Sequence, residues 1–168
     1  MFTLRIGLQS IPIWFRCFPD TNDPSAFDSN LIIEGIDYIC NLFKDKSCNI
    51  AFLANRWFPN IKVFEHINNL NCTYVFRTKK EQKIRYYDKR EKHYIWKSLC
   101  DFEHKKYVSK TFENIDYTFS NPIKTNIVLG RTNGTDDPWI LVTNGNVNKA
   151  VKHYSYRFGA IKFHFKKY

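Results

Sequence analysis

Apolar and polar positions along this chain of 168 residues predict a hairpin and a helix in its first third. Residues 2–18 contain two β-like runs joined by a short polar turn at Gln9 and Ser10, which predicts a hairpin. A loop rich in Pro, Asp and Asn follows. Residues 31–46 then place apolar side chains at helical spacing, with Asp28 or Ser29 as the expected N-cap.

A strand, a short helix and a second strand are predicted next. Residues 49–54 read NIAFLA, and the four apolar residues Ile50 to Leu53 predict a strand buried on both faces. Pro59 begins a short helix, and residues 73–78 (TYVFRT) form the next strand. The order hairpin, helix, strand, helix, strand predicts a mixed α/β sheet with helices packed on it.

The character of the sequence changes after Thr78. Residues 79–125 are dense in Lys and Arg interleaved with Tyr and Trp, and they predict an inserted β-rich subdomain. Strands return at 125–131 and 138–144. Residues 147–168 carry an apolar stripe at helical spacing and predict a helix, although the alternation at 161–165 leaves a strand there as an alternative.

Composition and charge narrow the class of protein. A hydrophobic fraction of 43% argues against disorder, and the length suits a single domain, 1–168. The formal net charge of +10 and a pI of about 9.4 favour an anionic partner, nucleic acid before a membrane surface. A solvated basic face would explain the same charge.

The cysteines and the apolar runs bear on the cellular location of the protein. Five cysteines are scattered without zinc-binding or disulfide-framework spacing, which predicts reduced thiols and a cytoplasmic location. No apolar run approaches the roughly 18 residues that a membrane-spanning helix needs, so no membrane partner is expected. Because the chain begins directly in a strand, we expect an upstream part to have been lost.

Four segments carry a resemblance to a known family. They are FLANRWF (52–58), TYVFRTK (73–79), DPWILVTN (137–144) and YSYRFGAI (154–161). Together they resemble the catalytic domain of bacterial insertion-sequence DDE transposases, in the subfamily with a β-rich insertion and a Tyr-Arg-Glu signature. The resemblance implies a ribonuclease-H-like fold. It also implies metal-dependent cleavage at transposon ends, followed by strand transfer, with two Asp and one Glu holding Mg²⁺ or Mn²⁺.

This chain departs from the family pattern at each metal ligand. The resemblance places the second Asp at Asn55, and it places the Glu at Lys162, or at Ile161 if the alignment slips by one. The first Asp belongs before the hairpin, where residues 1–19 contain no carboxylate; Asp20 and Asp23 lie in the loop after it. We therefore expect a truncated, degenerate copy that lacks its first strand, needs no cofactor and is inactive.

Tyr154 and Arg157 match the Tyr-Arg pair of the signature, which implies that they position the transition state or a phosphate. Ordinary roles are open for all four matched residues. Asn55 suits a turn cap, Tyr154 a core position and Arg157 a solvated helix face, and Lys162 is typical of a surface lysine.

The basic-aromatic stretch 79–97 predicts contacts with DNA, with cations on phosphates and Tyr86, Tyr87 or Trp96 stacking on exposed bases. The residues expected to bind DNA are Arg56, Lys79, Lys80, Lys83, Arg85, Lys89, Arg90 and Trp96. The alternative is a solvated insertion whose aromatics form a small core. His104 lies near Asp101 and Glu103, but this single segment is not expected to bind a metal. Asp136 and Asp137 are expected to shape the turn in which they lie.

Three functional hypotheses follow from the sequence. The first is a transposase catalytic domain that is inactive. The second is a non-catalytic module that binds transposon ends, or pairs with itself or with an intact transposase, and so inhibits transposition. The third is an unrelated α/β protein.

Overall fold

A computed structural model describes residues 2–6, 9–15, 29–56, 59–102, 110–130 and 138–164. For residues 6, 9, 10 and 158–164 the backbone alone is described. Asp20, Asp23, His104 and the Asp136–Asp137 turn lie outside these residues, and so does the side chain of Lys162.

The described residues form nine strands, three α-helices and one short 3-10 helix, Leu99–Asp101. The strands are β1 (Phe2–Ile6), β2 (Gln9–Trp14), β3 (Ala51–Ala54), β4 (Thr73–Arg77), β5 (Lys83–Asp88), β6 (His93–Ser98), β7 (Lys110–Tyr117), β8 (Ile123–Gly130) and β9 (Trp139–Thr143). The helices are α1 (Ser29–Phe43), α2 (Ile61–Asn69) and α3 (Val147–His164). The predicted hairpin and the three predicted helices are confirmed, and helix rather than strand continues through 161–164. The turn expected at Gln9 and Ser10 was wrong, because these two residues begin β2 and pair with Ile6 and Arg5.

Seven of the strands form one mixed sheet, in the order β3-β4-β9-β8-β7-β5-β6. Strands β3 and β4 are parallel, and the other neighbours are antiparallel. The mixed α/β class predicted from the sequence is therefore confirmed. The hairpin differs from expectation because β1 and β2 pair only with each other, as a separate two-stranded sheet.

Strand β3 does not have the environment that its apolar run predicted. It is the first strand of the sheet order, with β4 as its neighbour. Ala51 is exposed, Phe52 is buried, and Leu53 and Ala54 are half-buried. The expectation of burial on both faces was wrong because an apolar run reports composition, whereas burial depends on which elements cover the strand.

The connection from β3 to β4 is a crossover through α2, as parallel neighbours require. Asn60 caps this helix, since its side-chain oxygen accepts a hydrogen bond from Lys62 N at 2.9 Å. The buried face of α2 includes Phe64, whose ring stacks on Tyr74 of β4 with centroids 4.5 Å apart. This packing fixes the two parallel strands and their ends relative to each other.

The sheet is covered on both faces near β4 and β9. Tyr74 and Phe76 belong to a core cluster with residues of α1 and α2. Val75, between them, belongs to a second cluster with Leu141 and residues of α3. Because successive side chains of a strand point to opposite faces, α1 and α2 lie on one side of the sheet and α3 on the other.

Residues 79–125, where an inserted β-rich subdomain is predicted, contain β-strands. They contribute β5, β6, β7 and the start of β8, and these strands extend the main sheet rather than forming a separate one. Ile84, Phe112 and Tyr117 from this region join the core cluster on the α1 and α2 side. None of the helices in the described ranges is both long enough and apolar enough to cross a membrane.

Candidate functional site

The candidate site lies where β3 and β4 end. Their parallel register pairs Ala54 with Phe76, so Asn55 and Arg77 come next at the same edge of the sheet. Strand β9 runs antiparallel to β4 and begins at this edge, where the carbonyl oxygen of Pro138 accepts a hydrogen bond of 3.5 Å from Arg77 Nη2. Carboxyl ends of parallel strands are a common place for working side chains.

A small pocket of about 60 Å³ opens at this edge. We call it the arginine pocket, and its lining residues are Arg56, Arg77, Thr78, Lys79, Lys80, Glu81, Pro138 and Ile140. Four of these residues are cations and one is a carboxylate. Clustered guanidinium and ammonium groups present the fork-like and point-charge donors that phosphates and carboxylates accept, so the pocket suits an anion.

The segment after β4 is held in place by backbone hydrogen bonds. Thr78 N donates to Ile140 O at 2.9 Å, and the Thr78 hydroxyl bonds the hydroxyl of Tyr117. Lys80 O accepts a hydrogen bond of 2.8 Å from Cys100 N. The backbone of the pocket wall is therefore anchored while the Lys79 and Lys80 side chains stay exposed.

Tyr154 of α3 is buried between this helix and the sheet. Its side chain is fully buried, and its ring meets Trp139 edge to face with centroids 5.0 Å apart. Burial raises the pKa of Tyr154, and the positive charges of Arg157, Arg77 and Arg56 oppose that rise. Three guanidinium groups, from the turn after β3, from β4 and from α3, therefore act on one phenol.

Burial limits the role that the sequence predicted for Tyr154. A phenol with no exposed surface does not touch DNA directly, so it acts by packing and by orienting its neighbours. Arg157 is half-buried, and its guanidinium carbon lies 5.9 Å from the centre of the Tyr154 ring. Of the predicted pair, only Arg157 keeps exposed surface that an anion could contact.

The residues present do not fit a two-metal site. Two divalent ions need carboxylates that offset their charge, whereas the described residues of this edge present the amide of Asn55, four cations of the pocket and one carboxylate, Glu81. Across the part of the chain that the structure describes, no group of three or more His, Cys, Asp or Glu residues could hold a metal ion. Cations at such an edge repel Mg²⁺ and attract phosphate.

The structure distributes the residues expected to bind DNA over three places. Arg56, Lys79 and Lys80 line the arginine pocket. Lys83, Arg85 and Trp96 lie on β5 and β6, where Arg85 is directly opposite Trp96. Lys89 and Arg90 lie in the turn between these strands, where Arg90 N donates to Asp88 Oδ1 at 2.8 Å.

Tyr86 is placed differently from its predicted role. Its ring packs against Phe102 and Phe112, each with centroids 5.3 Å away, so it belongs to the core side of β5 and does not stack on bases. Sequence reasoning also missed Arg77, Tyr94 and Phe119. Arg77 could have been found, because it ends the apolar run TYVF just as Asn55 and Arg56 end the preceding strand.

Comparison with known proteins names no relative, because neither a scan of protein-family models nor a search of curated proteins finds a match for this chain. The function is therefore inferred from the geometry of the site.

Proposed function

We propose that this chain is a ribonuclease-H-like, transposase-type domain that binds DNA and does not cleave it. The observation that carries the proposal is the cationic character of the edge where β3 and β4 end. Arg56 and Arg77 line the arginine pocket, and their positive charges and that of Arg157 act on Tyr154. Asn55 precedes Arg56, at the position where the resemblance implies a metal-binding carboxylate.

The positions of the four family-like segments support the transposase relationship. FLANRWF supplies Arg56, TYVFRTK supplies Arg77 and Lys79, DPWILVTN supplies Pro138, and YSYRFGAI supplies Tyr154 and Arg157. Segments up to about a hundred residues apart in sequence thus meet at one edge. This convergence is what a shared ancestral site would produce, and it is not required by sequence order.

The ribonuclease-H-like arrangement is supported by the parallel pair β3 and β4, by their crossover α2, and by α3 on the other face of the sheet. An unrelated mixed α/β protein with an anion site is the second candidate. It is favoured by the hairpin, which lies outside the seven-stranded sheet, and by the antiparallel β9 beside β4. Both candidates share the anion-binding pocket.

The proposed mechanism is occupation rather than catalysis. Arg56, Arg77, Lys79 and Arg157 hold backbone phosphates of transposon-end DNA. Among the described residues no group of three or more acidic, His or Cys side chains could hold a metal that activates water. A copy that occupies these ends keeps an intact transposase from them. Pairing with itself or with an intact transposase would have the same inhibitory effect.

Calorimetric titration with Mn²⁺ and a DNA-nicking assay test this proposal together. The natural chain should give no binding heat and no nicking, and it should bind duplex DNA with an affinity that falls as salt rises. A variant carrying Asn55→Asp and Lys162→Glu should recover part of the metal binding. Stoichiometric Mn²⁺ binding by the natural chain, or nicking by it, would contradict the proposal.

A further inference from the structure

One face of the β5–β6 hairpin gathers aromatic and cationic side chains. The antiparallel register pairs Arg85 with Trp96 and Tyr87 with Tyr94. Directly opposed residues share a face and alternate residues return to it, so these four side chains lie on the same side, together with Lys83. Phe119, just after β7, completes this group, which we call the aromatic face.

The opposite side of the same strands is ordinary core. Ile84 is fully buried and Tyr86 packs against Phe102. The core therefore accounts for one side of β5 only. The aromatic face is on the side that the described helices leave uncovered.

Large rings on the aromatic face are exposed. Tyr87 is 50% exposed, Tyr94 59% and Phe119 65%. The rings pair edge to face, with centroids 5.5 Å apart for Tyr87 and Tyr94 and 5.1 Å apart for Trp96 and Phe119. Grouped apolar exposure of this kind marks a binding surface more often than chance.

Cations lie among these rings. The guanidinium carbon of Arg85 is 5.4 Å from the centre of the Tyr94 ring, and the ammonium of Lys83 is 5.9 Å from that of Phe119. Asp116 lies 3.8 Å from Arg85 Nη1, and Lys124 binds the same carboxylate more closely, at 2.8 Å. The face therefore offers ring surfaces with positive charge beside them.

We propose that the aromatic face binds single-stranded nucleic acid. Unpaired bases stack on Tyr87, Tyr94 and the Trp96–Phe119 pair, while Lys83 and Arg85 meet the phosphates. Exposed rings combined with a basic surface are the means by which proteins bind single strands without sequence preference. In a duplex the base faces cover one another, so these rings would find little to stack on.

This inference rests on the proposed nucleic-acid binding. It differs in the surface, which is the aromatic face rather than the arginine pocket, and in the ligand, which is a single strand rather than a duplex. Alternate residues along a strand are about 6.8 Å apart, which spaces the aromatic positions Tyr94 and Trp96 along β6 for successive bases rather than for one. The chain's net charge of +10 favours a polyanion over a protein partner.

Fluorescence anisotropy with labelled oligo(dT), oligo(U) and a mixed-sequence duplex tests the inference. Replacing Tyr87 and Tyr94 together by Ala should weaken oligonucleotide binding by about tenfold or more, since each ring that stacks on a base contributes to the affinity. Duplex binding should change less than about twofold. The Tyr→Phe pair, which keeps both rings, should restore the oligonucleotide affinity.

Tyr38→Ala is the matched control, because this tyrosine is 48% exposed but lies on α1. It should leave both affinities unchanged, and urea midpoints should show that every variant is folded. Tighter binding of oligo(dT) than of oligo(U) would assign the ligand as DNA, and the reverse would assign RNA.

Two results would overturn the inference while leaving the proposed function intact. One is oligonucleotide binding that survives loss of both rings. The other is self-association of the chain, in size-exclusion chromatography, that the double variant abolishes; this would make the face a protein interface. Conversely, variants of the arginine pocket that lose duplex binding and keep oligonucleotide binding would show that the two surfaces act separately. That result would support both proposals.

Discussion

The guanidinium carbon of Arg157 lies 5.9 Å from the centre of the Tyr154 ring, and that ring is fully buried against Trp139. The two residues are three positions apart on α3, so they lie on neighbouring parts of one helix face. The buried ring anchors the helix, and the half-buried guanidinium of Arg157 is held beside it. The arginine pocket itself is lined by Arg77 and Ile140 of the sheet and by connecting segments that backbone hydrogen bonds hold in place.

Tyr154→Ala should destabilise the fold by about 3–5 kcal/mol, because it removes a fully buried ring from the cluster between α3 and the sheet. Tyr154→Phe keeps the ring and should cost about 1 kcal/mol or less. Urea unfolding measures both changes. The exposed Tyr38 is the control, and its Ala variant should stay within about 0.5 kcal/mol of the natural chain. Equal losses at both tyrosines would refute the anchoring role.

Arg77→Gln should weaken duplex DNA binding by about tenfold or more, since a charged hydrogen bond to phosphate contributes about 1.5–3 kcal/mol. The slope of log affinity against log salt should become shallower by about 0.9 for each phosphate that the variant no longer neutralises. Arg77→Lys should recover only part of the affinity, because Lys keeps the positive charge but lacks the planar guanidinium that donates two hydrogen bonds to one phosphate.

Lys44→Gln is the charge-matched control for Arg77, since it removes one exposed cation after α1. Its effect on DNA binding should be within about twofold. DNA-binding titrations of the three variants at two salt concentrations measure these effects. A Lys44 effect as large as that of Arg77 would show that net charge, rather than the arginine pocket, governs binding.

Stability should fall steeply above pH 10. Burial raises the pKa of Tyr74 to about 12 and, likewise, that of Tyr117 to about 12. An unfolded tyrosine titrates near pH 10, so between pH 10 and 12 the folded state binds more protons than the unfolded state. The stabilisation is fully present below pH 10 and is lost as pH rises, by about 1.4 kcal/mol per unit for each tyrosine.

Urea midpoints at pH 8, 10 and 11 measure this dependence. Tyr74→Phe and Tyr117→Phe remove one titrating group each, so each variant should show a shallower decline than the natural chain. Tyr87→Phe, at a half-exposed tyrosine, is the control and should leave the decline as it is. Identical slopes in all four proteins would mean that the buried phenols do not cause the loss.

Asn144→Ala should destabilise the fold by about 1–2 kcal/mol. The Asn144 side chain accepts from Tyr74 N at 2.9 Å, and it donates to Asn68 Oδ1 at 2.8 Å and to Cys72 O at 2.9 Å. It thus joins the turn after β9 to α2 and to the start of β4. Thermal unfolding compares it with Asn148→Ala, at an exposed position of α3, and similar midpoints for the two variants would count against this link.

The sequence predicted local structure well where one face of an element is consistently apolar. The capped α2 and the long α3 follow from helical periodicity, and β4 and β9 follow from short apolar runs between turns. Strand β3 shows where such a prediction fails. Its apolar run predicted burial on both faces, but β3 is the outermost strand of the sheet order and is only partly buried. Periodicity describes a segment, whereas burial depends on its neighbours.

For the candidate site, too, some features follow from the sequence and others only from the tertiary structure. The sequence by itself determined that Asn55 and Lys162 stand where the resemblance implies acids, and that the chain is strongly basic. Only the tertiary structure decided that Arg77 joins Arg56 and Arg157, that Tyr154 is buried, and that Tyr87, Tyr94 and Trp96 share a face with Arg85. Residue chemistry is written in the chain, but which groups meet depends on strand register and helix packing between distant segments, and no local pattern encodes these.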